Sequence, residues 1–132
     1  MSDEQCSESS QEDKTPGIFS WNELLTQNPD ESLKFYTDLF GWTVESMEMP
    51  GGTYHCLMAG ERPVAGLVQP PVAEVPTQWN SYVTVENLED AVAKAEALGA
   101  TICMPPTDIP GKGRFASLSD PQGAAISLWQ FV

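Results

Sequence analysis

Basic residues are scarce in this 132-residue chain, and histidine is almost absent. It has 6 lysines and arginines against 19 aspartates and glutamates, a formal net charge of −13, and one histidine. The electrostatic field of such a negative charge repels the phosphates of nucleic acids and anionic membrane surfaces, so we expect neither as a partner. The three cysteines, Cys6, Cys56 and Cys103, are far apart and form no CxxC pair. That spacing argues against a zinc ribbon or a thioredoxin-like redox site.

Long apolar runs are also missing. No segment approaches the roughly 20 apolar residues that a membrane helix needs. The first residues lack the basic and then apolar stretches of a secretory signal, so we expect a cytoplasmic protein. What is present suits one globular domain, since 41% of the residues are hydrophobic and four Trp, five Phe and three Tyr can fill a core or line a pocket.

The composition predicts one folded domain after a tail. Residues 1–16 are polar and acidic, with no large apolar side chain after Met1, so burial cannot offset the entropy of ordering them and we expect a flexible tail. The domain is predicted to span residues 17–131. The proline-rich connector 70–76 separates module one, residues 17–70, from module two, residues 77–131.

Each module is predicted to have the order β-α-β-β-β. In the first, Asn28 can cap a helix that starts at Pro29 and ends before Gly41; Asn87 and Gly99 have the same places in the second. Four apolar residues fall on one stripe of the first helix: Leu33, Tyr36, Leu39 and Phe40. The predicted strands are 19–26, 42–49, 53–59, 64–69, 77–85, 101–104 with a possible extension past Pro106, 114–119 and 124–131.

The two modules match along their length. At an offset of 58 the matched residues are Trp21 with Trp79, Asn22 with Asn80, and Gly41 with Gly99. The order of turns matches as well, at an offset of 60. We interpret this as an internal duplication. The alternative is that any two strand–helix–strand units share caps and a terminal glycine.

Two segments resemble a known family. FYTDLFGW at the end of the first helix and FASLSDPQGAAISLW in the closing hairpin are similar to the vicinal oxygen chelate superfamily of glyoxalases, bleomycin-resistance proteins and dioxygenases. The resemblance covers about residues 17–131. It implies an α+β fold in which two tandem βαβββ modules form a cup-shaped mixed sheet with the helices outside. It also implies a homodimer and a small organic ligand in the cup.

Metal-dependent members of that superfamily bind a divalent ion, a Lewis acid, through His and Glu on four strands. Carried over to this chain, the positions fall near residues 21–23 on the first strand, at Gly66 or Leu67 on the fourth, at Asn80 or Trp79 on the fifth, and at Ser127 on the last. Only Glu23 is a usual ligand. We therefore expect no metal cofactor, with a divalent metal at a displaced site as the alternative.

The catalytic candidates are Glu23 and the single histidine. His55, in the third strand, could act as a general base if Glu23 were its carboxylate partner. The alternative is a hydrogen-bonded strand histidine without a catalytic role. Glu23 needs a polar partner if it faces the cup, and has no functional meaning if it faces solvent.

Other residues are candidates for binding a ligand. Trp21, Trp79 and Trp129, with Asn80, would suit a planar or cyclic molecule, although core packing explains each Trp equally well. Arg114, next to a glycine-rich turn, could attract an anion, or could simply be solvated.

Three functions remain open from the sequence. The first is a metal-free protein that sequesters or senses a small, partly aromatic molecule, as bleomycin-resistance proteins do. The second is a lyase, isomerase or dioxygenase with a divergent metal site or a Glu23–His55 acid–base pair. The third is a non-catalytic interaction domain that uses its sheet edges.

Overall fold

The structure, a computed structural model, describes residues 13–49, 52–70 and 73–132. Most of the predicted tail, part of the turn at Pro50 and part of the proline-rich connector lie outside these residues. The described residues form eight strands and two helices: β1 (Phe19–Leu25), α1 (Pro29–Phe40), β2 (Thr43–Met49), β3 (Gly52–Ala59), β4 (Arg62–Val68), β5 (Gln78–Thr84), α2 (Leu88–Ala97), β6 (Thr101–Ile109), β7 (Gly113–Ser119) and β8 (Ala125–Phe131). The predicted α+β class and the doubled β-α-β-β-β order are confirmed.

Contacts divide the described residues into two compact units. The first holds Trp21–Trp79, and the second holds Asn80–Val132 together with Asp13–Ser20. The early segment belongs to the second unit because its backbone pairs there: the Gly17 amide donates to the Thr84 carbonyl at 2.8 Å, and the Thr84 amide donates to the Ile18 carbonyl at 2.9 Å.

The two units repeat one strand arrangement. In the first, the order is β2-β3-β4-β1, and in the second it is β6-β7-β8-β5. The first strand of each module pairs in parallel with the last, and the other neighbours are antiparallel. A parallel pair needs a long crossover, which the helix and the two intervening strands of each module supply.

Local signals define the start and end of α1. The Asn28 side chain accepts a hydrogen bond from the Glu31 amide at 3.3 Å, and Pro29 occupies the first turn, where a missing N–H has no consequence. Gly41 ends the helix at φ 72°, a left-handed conformation that favours glycine, and its amide donates to the Thr37 carbonyl at 2.9 Å. The predicted caps are confirmed.

The predicted apolar stripe of α1 is only half used for packing. Leu33 and Tyr36 pack against the buried cluster of the first unit, which consists of Leu24, Leu57, Ala65 and Leu67. Leu39 and Phe40, in the last turn, are 58% and 55% exposed. The first unit's core is small, and the last turn of α1 does not pack against it.

In the second unit, the core lies between α2 and the sheet. Leu88 at the start of α2 and Ala116 on β7 are fully buried, and Leu118 is nearly so. β6 continues through both prolines to Ile109, with two irregularities in its pairing to β7. It tolerates prolines because it lies at the edge of its unit's sheet, where an amide donor is not needed on one side. Neither described helix has the length and apolar character needed to cross a membrane.

Candidate functional site

Strand pairing gives the sheet of the first unit two distinct faces, because residues directly opposite each other project to the same side. One row across the sheet consists of Glu45, Cys56, Gly66 and Glu23. The next row consists of Ser46, His55, Leu67 and Leu24. Leu67 and Leu24 belong to the cluster that packs under α1. We call the side facing a unit's helix its helix face and the opposite side its far face.

The far face of the first unit has an aromatic hydrogen-bonded pair over a glycine. Trp21 Nε1 donates to the Tyr54 hydroxyl at 2.9 Å. The Tyr54 ring lies directly over Gly66, so that a Cβ at Gly66 would overlap the phenol and come within 3.2 Å of Trp21 Nε1. Gly66 is therefore needed for close approach, and Tyr54 occupies the space that a side chain at position 66 would fill.

The structure does not bring Glu23 and His55 together. Glu23 is in the far-face row, whereas His55 is in the row of the helix face. His55 Nδ1 is 2.7 Å from the Ser46 hydroxyl of the neighbouring strand. This arrangement matches the expectation of a hydrogen-bonded strand histidine. Glu23 and His55 project from opposite faces of the sheet, so their side chains do not form an acid–base pair.

On the far face of the second unit, three neutral side chains form a linear chain of hydrogen bonds. Asn80 Nδ2 donates to the Ser127 hydroxyl at 2.8 Å, and the hydroxyls of Ser127 and Ser117 are 2.7 Å apart. Ser127 is fully buried and Asn80 is 6% exposed. The three residues satisfy one another, which is how buried polar groups are normally accommodated.

Aromatic rings surround this chain. Tyr82, which pairs with Ser127, has its ring 6.3 Å from that of Trp129 and 6.3 Å from that of Phe115, both in edge-to-face geometry. Trp129 pairs with Phe115 across β8 and β7, two residues along from the pair of Ser127 and Ser117 and so on the same face. The predicted residues Asn80, Ser127 and Trp129 are thus neighbours on one surface.

Arg114 lies on the helix face of the second unit, away from this surface. Its guanidinium donates to Glu89 on α2 at 2.8 Å and to Asp108 on β6 at 2.6 Å. These hydrogen bonds, chiefly the one to Glu89, raise the pKa of Arg114. The hydrogen bonds from Arg114 likewise hold the pKa of Glu89 below its usual value. Two carboxylates already compensate the charge of the Arg114 guanidinium. Arg114 therefore connects α2 with the sheet of the second unit.

This ion pair predicts a pH dependence of stability. Because the pKa of Glu89 is lowered by folding, its contribution is present above the pKa of the unfolded chain and is lost as the pH falls through the folded pKa. We expect the free energy of unfolding of Glu89→Gln to fall less steeply than that of the parent between about pH 5 and pH 3. Urea titrations at several pH values in this range measure the free energy of unfolding of both proteins. Asp90→Asn is the control, since Asp90 forms no ion pair among the described residues; equal slopes for Glu89→Gln and the parent would contradict the prediction.

Trp79 contacts α1, within the first unit. Its Nε1 donates to the Tyr36 hydroxyl at 3.1 Å, the two rings meet edge to face, and Trp79 is 41% exposed. Trp79 is adjacent to Asn80 in a strand, where neighbours point to opposite sides. It therefore does not share the surface of Asn80 and Ser127.

The paired rows also correct the predicted alignment of the repeat. Glu23 pairs with Gly66 in the first unit, and Tyr82 pairs with Ser127 in the second. The equivalent of Glu23 is therefore Tyr82, an offset of 59 and not 58. The helix caps Asn28 and Asn87 have the same offset of 59. Gly41 comes 12 residues after the start of its helix at Pro29, and Gly99 comes 11 residues after the start of its helix at Leu88, so these two glycines still match at 58.

Comparison with known proteins identifies the fold family. The sequence profile of the Glyoxalase/Bleomycin resistance protein/Dioxygenase superfamily matches residues 18–128. The chain belongs to this superfamily. The doubled β-α-β-β-β order and the parallel pairing of the first and last strands in each unit agree with the resemblance seen in the sequence.

Relatives in the glyoxalase superfamily have varied names. The chain is 46% identical over 113 residues to CFP32 of Mycobacterium tuberculosis, provisionally named a glyoxylase, covering 85% of this chain and 43% of that protein. It is 28% identical over 130 residues to the anthracycline biosynthesis protein DnrV of Streptomyces peucetius, covering 87% of this chain and 47% of that protein. The chain thus spans about half the length of these curated relatives.

A solved structure shows the same fold at low identity. A variant of Streptomyces coelicolor methylmalonyl-CoA epimerase, in complex with 2-nitronate-propionyl-CoA, superposes with a TM-score of 0.62 at 12% sequence identity. The match covers 89% of this chain and 99% of that chain. Similarity at this level concerns the fold alone.

The side chains at the expected metal positions do not fit a divalent cation. In the first unit Glu23 is opposite Gly66, which has no side chain and lies under Tyr54. In the second, Tyr82, the equivalent of Glu23, is opposite Ser127, and the neutral Asn80 side chain, expected there from the sequence, donates to the Ser127 hydroxyl. Within the described ranges, no three His, Cys, Asp or Glu side chains cluster so that they could hold a metal ion. A metal site needs three or four converging donors.

Sequence reasoning missed Tyr54, Tyr82 and Ser117. One signal could have found Tyr54: a glycine in the middle of a strand, at position 66, indicates that another group comes close to the backbone. Ser117 alternates with apolar residues along β7 and Tyr82 lies between Ser81 and Val83, but neither pattern says which of the two faces is the far face.

Proposed function

We propose that this domain binds a small, partly aromatic organic molecule on a far face of its sheet, without the divalent cation of the metal-dependent members of the superfamily. The observation that carries the proposal is the Asn80–Ser127–Ser117 chain. Two of its neutral, mutually bonded groups, Asn80 and Ser127, are at positions where the sequence resemblance places metal ligands, and aromatic rings lie on the same face. Such a surface suits a ligand recognised by stacking and shape with a few polar contacts.

The comparisons support the binding part of this proposal. A protein of the same fold, the Streptomyces coelicolor epimerase, was solved with 2-nitronate-propionyl-CoA bound. DnrV is named for the biosynthesis of anthracyclines. Ligands for this chain are therefore sought first among small organic molecules. A homodimer and a cytoplasmic location stay predictions.

Removal and addition of metal test the metal-free part. Elemental analysis of protein purified without a histidine tag should find less than stoichiometric Zn, Ni, Mn or Fe. We expect the melting temperature to be unchanged by a chelator and by each of these ions. A specific site filled at 100 times its dissociation constant would instead stabilise the fold by about 2.7 kcal/mol.

A lyase or isomerase is the second candidate, and the 46% identity to CFP32 favours it. One stoichiometric metal ion per chain, lost together with stability on chelation, would contradict the metal-free proposal and support this candidate. Glu23, the one ionisable group at the expected ligand positions, would then be the first residue to substitute.

A further inference from the structure

Glu45, on β2, has a buried carboxylate oxygen that no described residue satisfies. It pairs with Cys56, in the far-face row that continues to Gly66. Its Oε1 is fully buried and accepts no hydrogen bond within residues 13–49, 52–70 and 73–132. A buried carboxylate oxygen without a donor is unfavourable, and native structures retain such a group mainly where it has a role.

The surroundings of Glu45 are apolar and aromatic. Cys56 and Met58 form a buried cluster on this face, and the partly buried side chains of Trp21, Met47 and Tyr54 pack against it. Met47 pairs with Tyr54 two residues along from the pair of Glu45 and Cys56. The carboxylate therefore lies beside a surface of rings and sulfur atoms.

The basic residues of the first unit are placed elsewhere. Lys34 is on α1, 3.0 Å from Asp38 in an exposed ion pair. Arg62 is exposed at the start of β4 and pairs with Ala59 beside the turn that follows β3. Neither is positioned in the row of Glu45.

Glu48 shows what an ordinary carboxylate on the same strand looks like. It lies three residues after Glu45 and so on the opposite face. It is exposed and accepts a hydrogen bond from the Thr53 hydroxyl at 2.9 Å. The two glutamates share a strand and a charge but differ in environment, which makes Glu48 a matched control.

We infer that the Glu45 carboxylate is the counter-charge for a protonated amine, and that the ligand of this domain is a planar aromatic cation. The inference rests on the proposed small-molecule function and adds the class of ligand. The amine supplies the donor that the buried oxygen lacks, while the half-buried rings of Trp21 and Tyr54 on the same face can contact a flat cation. The net charge of −13 raises the local concentration of cations and lowers that of anions.

Two acridines of similar shape and opposite charge provide the test. 9-Aminoacridine is a planar cation at neutral pH, and acridine-9-carboxylate is its anionic counterpart. We expect fluorescence titration of the full chain, at physiological salt, to show saturable binding of the cation and weaker binding of the anion. Glu45→Gln should weaken binding of the cation about tenfold or more, whereas Glu48→Gln should change it by less than about twofold.

Thermal unfolding of the same variants gives a second readout. Glu45→Gln replaces the carboxylate whose Oε1 is buried without a donor, so it should raise the melting temperature while it weakens binding of the cation. Glu48→Gln replaces an exposed hydrogen-bond acceptor and should not raise the melting temperature. A folded, more stable Glu45→Gln protein with reduced affinity therefore cannot be explained by misfolding.

The outcomes separate this inference from the proposed function. If both acridines bind equally well, or if Glu45→Gln and Glu48→Gln weaken the cation equally, the ligand class is wrong while small-molecule binding stands. If neither acridine binds and no small molecule in a thermal-shift screen stabilises the parent, the inference and the proposed function both fail.

Discussion

Gly66→Ala is expected to destabilise the fold by about 3 kcal/mol. The new methyl group overlaps the Tyr54 phenol, and overpacking of this kind usually costs about 1 to 3 kcal/mol. Tyr54 must also move, which breaks its hydrogen bond to Trp21 Nε1 and adds about 1 kcal/mol. Urea unfolding of the variant and the parent measures the difference.

A double-mutant cycle tests the cause of this effect. Tyr54→Leu removes the group that the methyl overlaps, so Gly66→Ala should cost much less in a Tyr54→Leu background than in the parent. The coupling between the two positions should be about 1 to 3 kcal/mol, as for other residues in contact. Strictly additive effects would show that Tyr54 does not lie over Gly66.

Ser127→Ala is expected to lower the free energy of unfolding by about 2 to 3 kcal/mol, although it removes only one oxygen atom. Ser127 is the middle of the chain of hydrogen bonds, so its loss leaves the buried Asn80 amide without an acceptor and Ser117 without a partner. An unsatisfied buried donor costs about 1 to 3 kcal/mol. Ser117→Ala removes only the end of the chain and should cost about 1 kcal/mol, which chemical denaturation can resolve.

The partner substitution provides the control. Replacing Asn80 with Leu as well as Ser127 with Ala removes donor and acceptor together, so the double variant should be less destabilised than the two single effects predict. If Ser127→Ala and Ser117→Ala had equal effects, Ser127 would not be the centre of the chain, and the support for the metal-free proposal would weaken.

Local features of the fold were predictable because they depend on residues close in the chain. Asn28 and Pro29 are adjacent, and the amide that Asn28 caps belongs to Glu31, three residues on. Gly41 ends the helix through a hydrogen bond to Thr37, four residues back. Such interactions are encoded in short segments, and each was expected from the sequence.

Pairing across strands was less predictable. The alignment at an offset of 58 made Trp79 the counterpart of Trp21, but the observed register makes Glu23 the counterpart of Tyr82. A shift of one residue moves a side chain to the other face of a sheet. For the same reason Glu23 and His55, which the sequence suggested as a pair, are on opposite faces.

The amino-acid sequence by itself determined the strands and helices, their caps and turns, the doubling of the module and the family to which the chain belongs. The tertiary structure decided which residues contact one another: Tyr54 with Gly66, Asn80 with Ser127 and Ser117, and Arg114 with the two carboxylates on the helix face. Partners in these contacts are up to 47 residues apart in the chain. Whether they meet depends on strand register, which is set by packing of the whole unit and not by any short segment.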